Sequence, residues 1–336
     1  MMTSPTGNSN FLKRLWANPA SRALLALTLV LVLGCIFNAD GAFFKVATHR
    51  DALRQASVFG ILACGMTVVI LTAGIDLSVS SVLALSAVSF AWLTLPEGWA
   101  AVWAIPAVLV LGTAAGSVSG VLVARMRMQP FIVTLAMMVF ARGLAKVVSG
   151  GQKITNYVTD AQGVAHLIKM PRIFDLIDSQ VLGGNVSVVT LVFLVCALAT
   201  WIVLARLRLG RHIYAVGGNE EAARLSGVPV TRTLILAYAI SGLLAAVAGI
   251  CQAAQEMQGD PDTGMGYELD AIAMVVIGGT SLMGGKGSVT TTLIGVLTIG
   301  YLQKILSLNA APEATRLMLT GAIIVLAVLF QRGQDQ

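Results

Sequence analysis

The chain has 336 residues, of which 57% are hydrophobic and only 11% charged, and its formal net charge is +6. A soluble domain carries about 25% charged residues, so a water-soluble enzyme is excluded for want of charge to cover its surface. The same apolar excess excludes a disordered chain.

The first segment, 1–22, holds Lys13, Arg14 and Arg22 but no apolar run. Apolar stretches then follow at 23–37, 53–74, 77–95, 100–124, 131–149, 186–205, 234–255, 268–283, 288–306 and 314–330. At roughly 20 residues per crossing these are ten spans. The first reads as an uncleaved helix rather than a signal peptide, because so many spans follow it. The expected fold is therefore an all-α polytopic membrane protein. Residues 23–331 form one transmembrane domain, flanked by a 1–22 tail and a 332–336 tail.

An even number of spans puts both termini on one side. With both inside, twelve basic residues fall in cytoplasmic segments and six in outside ones. Acids take the opposite side, among them Asp160, Asp175, Asp178, Glu256, Asp260, Asp262 and Glu313. That bias favours N-in and C-in. It also accounts for the positive charge without nucleic acid. The basic loop 38–55 runs against the trend. Two connections are long: 150–185 outside and 206–233 inside. Cys35, Cys64, Cys196 and Cys251 lie in apolar runs and read as reduced core residues. The three histidines have no metal-ligand spacing.

The inside loop carries a short capped helix. Asn219 is a good N-cap, and Glu220 and Glu221 fall in the first turn, where the helix dipole favours acids. Arg224 and Leu225 are strong helix formers, Gly227 suits the C′ position, and Pro229 prevents continuation. Ala222, Ala223 and Leu225 would form its apolar face. So short a helix needs a partner surface, either the membrane or another protein.

Asp76 follows an apolar stretch and a break at Thr72-Ala73-Gly74. A charge at bilayer depth is costly, so it faces protein, water or the boundary. It reads either as a cap accepting from the Ser78 or Val79 amide or as part of a solute pathway. Glu268 and Asp270 likewise read as first-turn acids or as acceptors for hydroxyl groups at a channel mouth. Arg142 and Lys146 share a helix face and either snorkel or pair with the acidic loop 256–262. Trp92, Trp99, Trp103 and Trp201 stand near span ends, as an interfacial belt does. Gly285-Lys286 ends the nearest match to a phosphate loop. Thr280 and Gly287 occupy its obligatory glycine and Ser/Thr positions, so the chain carries no nucleotide site of its own.

Several motifs together resemble the ribose-type sugar permeases of the ABC importers. They are Gly74-Ile75-Asp76-Leu77-Ser78-Val79, Gln129-Pro130-Phe131-Ile132-Val133-Thr134 and Tyr214-Ala215-Val216-Gly217-Gly218-Asn219, with Gly266-Tyr267-Glu268-Leu269-Asp270-Ala271, Gly278-Gly279-Thr280-Ser281-Leu282 and Gly284-Gly285-Lys286-Gly287. The resemblance covers residues 55–331 in order. Ser80 departs from it, standing where the family usually has glycine.

The resemblance implies a type II importer permease in the bacterial cytoplasmic membrane. It would form a homodimeric pathway for a monosaccharide or polyol: a pentose, a hexose or inositol. A cytoplasmic ATPase would hold ATP and Mg, and a periplasmic binding protein would deliver the sugar. This chain would hold no cofactor, catalytic residue or metal. Asn219, Glu220, Glu221, Arg224, Leu225 and Gly227 would couple to the ATPase. Asp76, Ser78, Phe131, Thr134, Glu268 and Asp270 are the pathway or gate candidates. The basic residues Lys153, Lys169 and Arg172 of the outer loop are the docking candidates. The rival is a secondary transporter driven by an ion gradient, which needs paired intramembrane acids. Only Asp76 offers itself. An integral-membrane enzyme would need a catalytic constellation that the sequence does not supply.

Overall fold

The computed structural model describes residues 18–159, 165–312, 314–319, 321, 322 and 325. Lys13, Arg14, Asp160, Glu313, the 332–336 tail and part of the tenth predicted span lie outside the described residues. Of that span, residues 314–319 are helical.

Helix α1 (Pro19–Ile36) starts at Asn18, whose Oδ1 accepts from the Ala20 amide at 3.0 Å. A 3-10 turn (Ala42–Phe44) leads into α2 (Val46–Leu71), then α3 (Val79–Thr94), α4 (Ala101–Met126) and α5 (Pro130–Ser149). After the long connection come α7 (Val188–Arg206), α8 (Arg208–Gly218), α9 (Glu220–Leu225), α10 (Val230–Glu256), α11 (Tyr267–Ile277) and α12 (Val289–Leu308). The connection itself holds a short helix, α6 (Arg172–Asp178). It also holds two antiparallel strand pairs: β1 (Tyr157–Thr159) with β2 (Ala165–Leu167), and β3 (Gln180–Val181) with β4 (Val186–Ser187). These small pairs add β-structure that the all-α expectation lacks.

Among the described residues six helices, α2, α4, α5, α7, α10 and α12, are long and apolar enough to cross a membrane, and α1 and α3 are shorter apolar helices. Burial ranks them. The most apolar stretch of α2 is 78% buried and that of α10 72%, against 33% for α4 and 22% for α5. So α2 and α10 form the centre. Helix α10 packs on α4, α2 and α3, while α2 also meets α7, α11 and α12.

Small residues set the closest of these contacts. Gly112, Gly116 and Gly120 recur every fourth position along α4 and face α10. A Cβ on Gly116 would overlap the Tyr238 carbonyl oxygen. Between helices in lipid, close backbone approach replaces the missing hydrophobic drive.

The structure corrects several expectations. Helix α2 begins at Val46, so Arg50 and Arg54 are helical rather than part of a basic loop. Arg54 pairs with Asp178, and Arg50 donates to the Gly184 carbonyl at 2.9 Å and to the Asn185 side chain. The basic residues of this segment thus serve the neighbouring loop. The predicted span 268–283 is helical only to Ile277, because the glycines that follow form a turn in which Gly279 has φ +86°. Cys64 and Cys251 are buried, but Cys35 is exposed, since α1 is largely exposed on the side away from α12. The inside loop 206–233 is mostly helical, as α8 and α9.

Candidate functional site

The candidate residues fall at two ends of the bundle. At the first end, α9 is built as its sequence requires. The Asn219 side chain accepts from the Ala222 amide at 2.9 Å. Gly227 has φ +81°, where a side chain would be strained. The Gly227 amide donates to the Arg224 carbonyl and the Val228 amide to the Ala223 carbonyl, both at 3.0 Å. Those two bonds close the helix as a Schellman motif. The apolar face is narrower than expected: only Ala223 is buried, while Ala222 is exposed and Leu225 is 81% exposed. A six-residue helix has room for one inward position. Glu220 pairs with Arg224, and Glu221 is exposed. The helix therefore projects a carboxylate, an ion pair and a bare leucine.

Behind α9 lies a junction of backbones. A Cβ on Gly217, near the end of α8, would overlap the Leu71 carbonyl at the end of α2. The Gly285 amide donates to that carbonyl at 3.0 Å. The Tyr214 hydroxyl donates to the Gly287 carbonyl at 2.9 Å, and burial pushes the Tyr214 phenol up. The glycine turn 279–287 is thus a third partner between α8 and α2.

The break between α2 and α3 follows directly. Ala73 has φ +61°, and Asp76 is 1% exposed. Its Oδ1 accepts from the Ser78 amide at 3.0 Å and the Ser78 hydroxyl at 2.6 Å. Its Oδ2 accepts from the Ser241 hydroxyl on α10 at 2.7 Å. Asp76 is thus a local cap and a strut between helices at once. Thr134 is buried, its hydroxyl 3.2 Å from the Ile75 carbonyl and 2.9 Å from that of Pro130. Phe131, one turn away, is 53% exposed. Tyr238 is also buried, and a Cβ on Gly74 would sit 2.5 Å from its hydroxyl. Ser241 and Tyr238 were not singled out in the sequence. A lone polar residue in an apolar helix is their only signal.

The opposite end gathers the long connection and residues 257–270. Ile154 and Gly259 exchange backbone hydrogen bonds at 2.8 Å. Lys153 pairs with Asp260 at 3.0 Å and Lys146 with Asp262 at 2.9 Å. Arg142 donates to the carbonyls of Pro261 and Thr263 at 2.7 and 2.8 Å. So Arg142 and Lys146 do hold the acidic loop. The Asp260 carboxylate, accepting from Lys153, raises that ammonium's pKa, and Lys146 lowers that of Asp262. Glu256 accepts from Gln252 at 2.6 Å and from Thr263 at 3.2 Å. Glu268 and Asp270 lie in the first turn of α11, with one oxygen of Glu268 buried and unbonded among the described residues. Lys169 and Arg172 are exposed. Helix α6 is held by Phe174, which is fully buried and stacks on Phe90 at 5.1 Å. Asp76, Ser78 and Thr134 therefore meet at one end, and Glu268 and Asp270 at the other.

The family described as branched-chain amino acid transport system / permease component matches residues 50–328. The ribose import permease protein RbsC of Escherichia coli K12 is 40% identical over 98% of both chains. The same-named protein of Bacillus subtilis is 38% identical over 93% of this chain and 92% of its own. A fructose import permease of Rhizobium meliloti is 37% identical over 94% of this chain and 85% of its own. No solved structure matches the chain significantly. The chain is a multi-pass protein of the bacterial inner membrane and a non-catalytic subunit, and it belongs to this permease family, among the monosaccharide ABC importer permeases.

Proposed function

We propose that this chain forms, as a homodimer, the translocation pathway of an ATP-driven importer for a monosaccharide or sugar-like polyol. The observation that carries the reading is the 40% identity to a ribose import permease along 98% of both chains. In this reading ten spans cross the membrane and both termini are cytoplasmic. Arg125, Arg127, Arg206, Arg208, Arg211, Arg224 and Arg232 then all belong to the cytoplasmic end, in keeping with the positive-inside rule.

Helix α9 presents Asn219, Glu220, Glu221, Arg224, Leu225 and Gly227 to a partner ATPase, which binds ATP and Mg. Displacement of α9 passes through Gly217 to Leu71 and on to the break braced by Asp76, Ser78 and Thr134. Phe131 stands exposed beside that break as a gate residue. At the periplasmic end Lys169 and Arg172 meet the sugar-binding protein, with Lys153 shared with Asp260. The carboxylates of Glu268 and Asp270 accept sugar hydroxyls at the mouth.

Reconstitution with the ATPase and binding protein tests this. Uptake of labelled ribose should require ATP, and unlabelled xylose, fructose and inositol should rank the substrate class by competition. Uptake that follows an ion gradient without ATP overturns the reading. So does saturable nucleotide binding by the isolated chain.

A further inference from the structure

The α9 end holds a cavity of about 610 Å³ whose lining includes Ala124, Arg125, Arg127, Arg224, Val230 and Arg232. The arginines come from three helices and one cap. Arg125 is in the last turn of α4, and Arg127 caps that helix with φ +52°. Arg224 is on α9, and Arg232 is in the first turn of α10.

Like charges brought to one space repel unless an anion answers them. Glu220 answers Arg224. Among the described residues Arg125, Arg127 and Arg232 have no ion-pair partner. No side chain caps the start of α10, so the positive end of its dipole adds to the field.

The neighbouring surface identifies the anion. On α4 the residues Trp103, Ala107, Val110, Ala114 and Val118 are exposed and apolar at helical spacing. This stripe runs down the helix and ends at Arg125. Free phosphate would use the arginines and leave the stripe bare, and so would an acidic segment of a protein. A phospholipid uses both: its acyl chains cover the half of the stripe nearest Arg125, one leaflet's depth, and its headgroup phosphate enters the cavity.

We infer that this arginine-lined cavity binds the phosphate of an anionic phospholipid in the cytoplasmic leaflet. The lipid ties the end of α4 to Arg224 on α9, so it steadies the element that meets the ATPase. The inference rests on the proposed orientation, with α9 at the cytoplasmic face.

The test compares lipid retention by the full-length permease in mixed micelles of phosphatidylglycerol and phosphatidylcholine, read by native mass spectrometry. Wild type should retain phosphatidylglycerol preferentially. Replacing Arg125, Arg127 and Arg232 together by Gln should weaken that preference by roughly a hundredfold, the order expected for three basic residues near an anionic surface. Replacement by Lys should keep most of it. If the triple Gln variant does not fold, Arg232→Gln alone must lose part of the preference.

Equal retention of the two lipids by wild type overturns the site, and so does an unchanged preference in the Gln variants. Displacement by inorganic phosphate alone would assign a free-anion site instead. Release of the lipid on adding the ATPase would assign the arginines to that contact, which also overturns the inference. Retention is read without transport. Its failure therefore leaves the importer reading standing, and a failure of ATP-driven uptake leaves the lipid site standing.

Discussion

Gly217 and Leu71 meet backbone to backbone. No Cβ fits at Gly217, because the Leu71 carbonyl oxygen fills the place it would take. The Gly285 amide bonds to the same oxygen at 3.0 Å. The end of α8 is thereby fixed to the last turn of α2, a few residues before Asp76. A backbone contact transmits displacement better than a side-chain contact, since no rotamer can absorb it.

Gly217→Ala tests that joint. The added methyl meets backbone rather than a flexible side-chain tip, so α8 must move off α2. Overpacking of this kind costs about 1–3 kcal/mol. The variant should insert in the membrane with lowered thermal stability and should lose most ATP-driven uptake. Uptake at the wild-type rate would remove Gly217 from the transmission path.

Helix α9 should couple in both directions. Gly227→Val puts a β-branched residue at φ +81°, straining the helix end by about 1–2 kcal/mol. Glu221→Lys reverses an exposed charge, and Leu225→Ala removes an apolar knob worth about 2 kcal/mol if it sits at the centre of the contact. All three lie outside the spans, so insertion should be normal. Transport and transport-stimulated ATP hydrolysis should fall together. Normal transport by any one variant excludes that residue from the contact.

Asp76 accepts three hydrogen bonds in a buried site. Asp76→Asn keeps an oxygen for Ser78 and offers an amide to the Ser241 hydroxyl. Asp76→Leu leaves the donors unpaired, at about 1–3 kcal/mol each. If the strut is its whole role, Asn should support uptake and Leu should reduce the yield of folded protein. Normal expression with no uptake in both variants would mean that the charge itself serves transport. Full uptake by the Leu variant would dismiss both roles.

Arg172 is exposed at the start of α6, which Phe174 holds firmly. Arg172→Glu should weaken the sugar-binding protein's affinity several-fold, most at low salt, with the ATPase still bound. Binding measured across ionic strength checks this, and equal affinity at low salt removes Arg172 from the docking surface.

The clasp at the α6 end should depend on pH. Lys146 holds the Asp262 pKa below the ordinary carboxylate value, so this pair stabilises the fold above that value. Its contribution is lost as pH falls through the lowered one. Lys153 has the opposite sign: Asp260 raises its pKa, so that stabilisation is present below the ordinary lysine value and lost well above it. Lys146, Asp262 and Lys153 are exposed, with only Asp260 half-buried, so each effect is small and salt-sensitive. Protection factors across residues 257–266, with the intrinsic slowing of exchange in acid divided out, should fall as pH drops, and Asp262→Asn should blunt that response. An identical acid response in the variant would place the sensitivity elsewhere.

The features legible in the sequence are those set within a turn or two of chain. The Asn219 cap, the positive φ of Gly227 and the first-turn acids Glu268 and Asp270 follow from local hydrogen bonding and sterics. The apolar runs follow from the bilayer's demand for satisfied backbones. Span ends were less legible, because Val46–Leu71 and Val230–Glu256 continue past their apolar stretches as helix. The glycine repeat of α4 was visible but gave no indication of which helix it meets.

Composition and local pattern by themselves determined a helical membrane protein with a capped helix between spans, and only the resemblance of its motifs made it a permease. Only tertiary structure decided that Asp76 bonds to Ser241, 165 positions away, and that Leu71, Gly217 and Gly285 share one carbonyl. It alone brought the ends of α4 and α10 together with α9 around the arginine cavity. The physical reason is that apolar helices look alike to one another in a linear sequence. Their partners are chosen by close fit between surfaces distant in the chain, and a fit exists only once both surfaces are built.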